Sequence, residues 1–335
     1  MQVLPLALFL VLLELTAGSF ISLFLLDVRG DSSRNFIIFQ GVLYALVALL
    51  TLGAMNAFAA PQIVHGYGLD EPWLAGQGPL TLALLLLMIP WNVLLWLDKV
   101  PRGKGAQHAR SLRAALAEPP LRVARFALGA LTSLVALADL FVVGMAYRAL
   151  AASRLDGALV VLAVVAGAIA LGGVMTAMLL GHWYLNTPTA SGKPLEFVTT
   201  LTLVALVLEM VFLLFVGPAT VHATLQVANI TPGTVIHTSS GGVVVNTPTA
   251  APTGQGGQTS QQPVVARQTP IATSAMFWLE FILGFLAPLG LGGVALYLTR
   301  GRSFQSATGM LYLCVSFIFI GEILARGLLL FPIFG

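Results

Sequence analysis

In the last apolar run of the chain, Met310 to Phe334, the segment Gly321-Glu322-Ile323-Leu324-Ala325-Arg326 sets a carboxylate and a guanidinium four residues apart. On a helix that spacing puts both side chains on one face, where they can pair. Each charge is costly in hydrocarbon, so the pair is expected to turn inward and marks a candidate functional site. Four more acids are read as intramembrane: Glu14, Asp139, Glu209 and Glu280. Arg326 is read as the only intramembrane base and can directly neutralise one or two of them. The others are expected to carry a proton, to be hydrogen-bonded, or to face a water-filled cavity. Acids of this kind suit a proton path or a quinol site, because quinol oxidation releases protons that a base must accept. Glu322, Arg326, Glu14, Glu280 and Asp139 are therefore the candidate catalytic residues. The competing reading is structural, with each acid bonding a neighbouring helix for about 0.6 to 2 kcal/mol.

Histidine supplies the candidates for cofactor binding. Gly181-His182-Trp183-Tyr184-Leu185-Asn186 closes the fifth apolar run with aromatics at interface depth. His182 could ligate haem or hydrogen-bond a quinone carbonyl, or simply anchor the helix end. A b-type haem ordinarily needs two axial ligands, and no second histidine lies inside a run. His65 and His222 flank the outer ends of runs two and six and form a possible outer-side pair. Quinone is the favoured cofactor, with haem b the weaker alternative. The single cysteine, Cys314, excludes a disulfide framework and a Cys-rich metal or iron–sulfur motif. No Gly-rich phosphate loop, HExxH or Ser/His/Asp arrangement is present, so the expected chemistry is movement of electrons, protons or solute.

The elements that must hold these residues are membrane helices. The chain is 58% hydrophobic and only 9% charged, against about 25% charged in soluble domains. A hydrocarbon core about 30 Å thick takes roughly 20 apolar residues per helix. Eight stretches qualify, at about 4–26, 36–59, 79–97, 124–147, 157–182, 195–220, 275–298 and 309–334. The expected fold is all-α, a polytopic bundle of about eight transmembrane helices. The first run lacks a basic leader and a cleavage site and is read as a retained span. With the N terminus outside, twelve Lys and Arg fall in inner loops and three, Arg148, Arg154 and Arg267, in outer ones. The positive-inside rule thus places both termini on the extracytoplasmic side, and the loop charges suit a bacterial cytoplasmic membrane. The net charge of +3 arises from these loops and carries no nucleic-acid signal.

Residues 1–220 form a six-helix membrane region containing a basic cytoplasmic loop, 98–125, in which Ser111 to Ala117 could lie as an interfacial helix. Residues 221–273, rich in Ser, Thr, Gly and Pro, read as a flexible extracytoplasmic loop, with a possible hairpin around Ser239-Ser240-Gly241-Gly242. Residues 274–335 hold the last two spans. Gly173, Ala177 and Gly181, and likewise Ala168 and Gly172, are spaced for close helix packing. Pro90 and Pro288 are expected to loosen spans three and seven. No internal repeat is evident.

The run Val315-Ser316-Phe317-Ile318-Phe319-Ile320-Gly321-Glu322-Ile323-Leu324-Ala325-Arg326-Gly327 resembles the last helix of the dimethyl sulfoxide reductase membrane-anchor family. Gly321, Glu322, Arg326 and Gly327 match its Gly-Glu-x-x-Gly-Arg-Gly pattern, with Ala325 in place of a glycine. Pro5-Leu6-Ala7-Leu8-Phe9 and Ala17-Gly18-Ser19-Phe20-Ile21 are similar to its first helix. The resemblance implies an eight-helix subunit that oxidises quinol and passes electrons to an iron–sulfur partner. Where that family carries a quinol-linked histidine segment after helix two, this chain has Met55-Asn56-Ala57-Phe58-Ala59-Ala60-Pro61. His65 or His222 would then have to substitute.

The sequence therefore points to a membrane subunit of a respiratory-type electron-transfer complex, anchoring a partner and binding quinone. Two alternatives stay open: a proton-coupled transporter or channel using the same carboxylates, and a cofactor-free scaffold whose acids only join helices.

Overall fold

The computed structural model describes residues 3–57, 63–64, 67–68, 71–97, 120–147, 154–187, 189–216, 235–237, 243–245 and 275–330. Among them are eight helices long and apolar enough to cross a membrane. These are α1 (Val3–Arg29), α2 (Arg34–Ala57), α3 (Glu71–Leu97), α4 (Pro120–Tyr147), α5 (Arg154–Asn186), α6 (Lys193–Val216), α7 and α8 (Phe304–Leu330). Helix α7 has three parts: Ala275–Glu280, a π-helical segment Phe281–Leu286, and Ala287–Arg300. The chain is thus an all-α, multi-pass membrane protein.

Several helices overrun their apolar runs. Helix α3 starts at Glu71 rather than 79 and continues through Pro79 and Pro90. Its first turn is Glu71-Pro72, where a proline costs nothing because that N–H has no helical partner. Hydropathy locates the part that must sit in lipid, whereas the backbone hydrogen-bond ladder runs on into polar ends.

Helix α1 touches α2, α2 touches α3, α3 touches α4, and α4 returns to α1. The same order recurs in the second half, where α5, α6, α7 and α8 close a ring of their own. The two rings meet where α1 packs on α5 and α8, and α4 on α5. Each half thus has its helices in contact in chain order, with the fourth returning to the first. Helices α1 and α5 are central: 78% and 67% of their spans are buried, against 28–39% in the other six.

Small residues make the seam possible. A Cβ on Gly172 of α5 would strike the backbone of Gly18 and Ser19 on α1, and one on Gly18 would strike the Ala168 carbonyl. The other stripe does the same for the second ring. A Cβ on Gly173 would lie 2.6 Å from Thr202 Oγ1 of α6, and one on Gly181 would lie 2.7 Å from Thr308 Oγ1 of α8. Both small-residue patterns are therefore packing faces. Polar side chains tie neighbours together between them. Thr16 and Thr51 hydroxyls meet at 2.8 Å across α1 and α2, Tyr44 reaches Thr176 at 2.8 Å, and Asn92 donates to the Gly41 carbonyl at 3.1 Å.

Outside the bundle, Val235–His237 pairs antiparallel with Val243–Val245, the hairpin expected in the long loop; its turn lies outside the described residues. Ile63–Val64 pairs with Tyr67–Gly68. The basic stretch 98–119, with Ser111 to Ala117, lies outside the described residues, as does nearly all of the loop 221–273.

Candidate functional site: a carboxylate cluster on Arg326

Glu322 and Arg326 pair as their spacing demands, with Nη2 donating to Glu322 Oε2 at 2.9 Å. Tertiary packing then adds two acids from distant parts of the chain. Arg326 Nε donates to Glu14 Oε1 of α1 at 2.6 Å, and Nη2 lies 3.6 Å from Glu209 Oε1 of α6. All four side chains are at most 3% exposed. The planar fork of guanidinium allows this, since its N–H groups serve acids in different directions, which a lysine ammonium does less well. The expectation that Arg326 meets one or two acids thus becomes three.

The site sits on the seam between the rings, and Gly167 of α5 forms its floor. A Cβ there would lie 2.5 Å from Glu209 Oε1, 2.6 Å from Glu322 Oε1 and 2.8 Å from Arg326 Nη2. A residue with no side chain leaves the space into which the charged groups converge. Nothing in the sequence around Val165-Ala166-Gly167-Ala168 distinguishes this glycine from a packing one.

Glu280 lies beside the cluster, buried at 6% exposure and within electrostatic reach of Arg326 and Glu322. It is the last residue before the π-helical segment, and segments of that kind are frequent at functional sites. Gly284 in that segment packs against Gly321 of α8, 3.1 Å separating the position of its would-be Cβ from Gly321 Cα. That close crossing brings α7 against the residue preceding Glu322. A small cavity opens there, lined by Glu209, Gly284, Phe285, Ile318 and Glu322 among others.

Asp139 does not join this group. It accepts a hydrogen bond of 2.8 Å from Thr81 Oγ1 inside the first ring, between α3 and α4. His182 is exposed at the other end of α5, with Nδ1 3.2 Å from Tyr312 Oη. It is fifteen residues from Gly167, roughly 22 Å along the helix. His65 and His222 lie outside the described residues.

A second buried ion pair was not anticipated. Arg125 Nε of α4 lies 3.2 Å from Asp27 Oδ2 of α1, with side chains 2% and 0% exposed. Its guanidinium also stacks over Phe126, 4.5 Å from the ring centroid. Arg326 is therefore not the only buried cation. From sequence Arg125 reads as one of the loop charges that set topology, because it stands at the edge of an apolar run. The signal that could have flagged it is Asp27, a buried acid at the matching end of the first span.

What the cluster can do chemically follows from its charge. Three ionised carboxylates and one guanidinium would leave a net charge of −2 in hydrocarbon, and uncompensated buried charge is strongly unfavourable. The fold and site together define a polytopic helical membrane protein with a buried cluster of three carboxyls on one guanidinium between two four-helix rings. No protein-family model matches the chain, and no curated protein matches it either.

Proposed function

We propose that the chain is a membrane subunit of a respiratory-type electron-transfer complex, anchoring an iron–sulfur or other redox subunit in a bacterial cytoplasmic membrane. In this reading the cluster around Arg326 accepts protons released when a quinol is oxidised beside it. The observation that carries it is the gathering of three carboxyls on one buried guanidinium. Such a group gains or loses a proton while Arg326 stays paired, which is what a quinol site asks of its base. The segment Gly321–Gly327, on which the family resemblance rests, supplies two of the four members. Glu280 is the next acceptor, and Asp139 and the histidines are not needed. The test is Glu322→Gln in the intact complex. Quinol-linked electron transfer is expected to fall at least about 100-fold, the lower range for a lost acid–base group, with the subunit still assembled. Normal turnover refutes the proposal.

The π-helical segment in α7, beside Glu280, favours a second reading, a proton-coupled transporter or channel. Proton-driven uptake into proteoliposomes containing this chain alone would select it. Stable co-purification with a redox subunit selects the first.

A further inference from the structure

Helix α7 approaches the cluster through a turn that holds one residue more than an α-helix allows. Ala287 N–H donates to the Ile282 carbonyl, five residues back instead of four. The cause is the next residue. In the α register residue 288 would donate to the Gly284 carbonyl, but Pro288 has no N–H and its ring would press on that oxygen. A proline in a helix commonly produces a kink. In α7 the turn is pinned to α8 on both sides. The would-be Cβ of Gly284 lies 3.1 Å from Gly321 Cα, and Cys314 Sγ donates to the Pro288 carbonyl at 3.5 Å. The helix relieves the clash by widening instead of bending.

The extra residue decides which side chain faces the cluster. Each residue of a helix advances roughly 100° around the axis and about 1.5 Å along it. With Ala287–Arg300 held in place, closing Phe281–Leu286 to the α register would carry Glu280 to the place now taken by Leu279, and Phe281 to the place of Glu280. Glu280 is 6% exposed, whereas Leu279 is 48% exposed on the outward side of α7. We infer that Pro288 is a positioning residue: by excluding the α register it imposes the wide turn that sets Glu280 beside Arg326 and Glu322 instead of on the lipid face. The use of Glu280 as the next proton acceptor rests on the proposed function, but its placement does not.

Carbodiimide labelling of the whole chain in lipid nanodiscs tests the inference. A lipid-soluble carbodiimide modifies carboxyls that it reaches from the bilayer, and mass spectrometry of the peptide carrying Glu280 reads the rate. Pro288→Ala is expected to label at Glu280 about eightfold faster than the wild type, in proportion to the 48% and 6% exposures of the two places. Deleting Ile282 removes the extra residue, so Pro288→Ala combined with that deletion is expected to return Glu280 inward and labelling to the wild-type rate. A helix that was merely weakened would be loosened further by the deletion, not protected. Labelling of folded Pro288→Ala no faster than wild type, or fast labelling that survives the deletion, overturns the inference. Should Pro288→Ala fail to fold, an experimental wild-type structure decides. Ala287 N–H on the Ile282 carbonyl with Glu280 buried is expected, and an α register with Glu280 still buried refutes the role of Pro288. No quinol enters these measurements, so their failure is distinguishable from an active Glu322→Gln complex.

Discussion

Gly167→Ala adds one methyl group at the floor of the cluster. Its Cβ would stand 2.5, 2.6 and 2.8 Å from Glu209 Oε1, Glu322 Oε1 and Arg326 Nη2, all inside van der Waals contact. These atoms end flexible side chains, but they are held by one another and sealed from solvent, so relief means parting the ion contacts. Overpacking alone costs about 1 to 3 kcal/mol, and stripping a buried charge of its partner about 3 to 5. Against this, alanine gains up to about 1 kcal/mol of helix propensity over glycine. Gly293→Ala isolates that gain, because nothing lies within 4 Å of the Cβ it would create. Reversible denaturant unfolding of both variants in mixed micelles is the assay. Gly167→Ala is expected to fall at least about 2 kcal/mol below Gly293→Ala, which exceeds the intrinsic propensity difference. If the two agree within about 0.5 kcal/mol, the usual scatter of innocuous substitutions, the glycine is not the floor of a packed charge cluster.

Three further outcomes follow from the geometry. Asp27→Asn and Arg125→Met are each expected to destabilise by about 3 to 5 kcal/mol, with the double variant costing less than their sum, so a double-mutant cycle measures the coupling. Gly172→Ala is expected to prevent recovery of folded protein in detergent, because its Cβ meets the fixed backbone of Gly18 and Ser19 rather than a movable side chain. His182→Ala is expected to change unfolding stability by less than about 0.5 kcal/mol, since the ring is exposed and meets Tyr312, itself exposed.

The span count and the burial of the intramembrane charges were legible in sequence because lipid imposes both locally. A run of about 20 apolar residues spans, and a charge within it must turn inward. The Glu322–Arg326 pair was legible too, since four residues on a helix fix a shared face whatever surrounds it. The helix-joining role of the Ala168–Gly172 and Gly173–Gly181 stripes was expected on the same ground. Which acids meet was not legible. Glu14 and Arg326 are 312 residues apart, and Asp139, whose position along its span resembles theirs, joins Thr81 in the other ring instead. Depth along a helix can be read from sequence, but rotation and neighbour identity depend on which helices close into a ring. The π-helical turn before Pro288 and the space above Gly167 likewise emerge only when α5, α7 and α8 are packed. The sequence by itself determined that buried carboxyls and a guanidinium would face inward. Only the tertiary structure decided that three of them share Arg326 at the seam of two rings, because that outcome depends on close backbone crossings at Gly18, Gly172, Gly284 and Gly321.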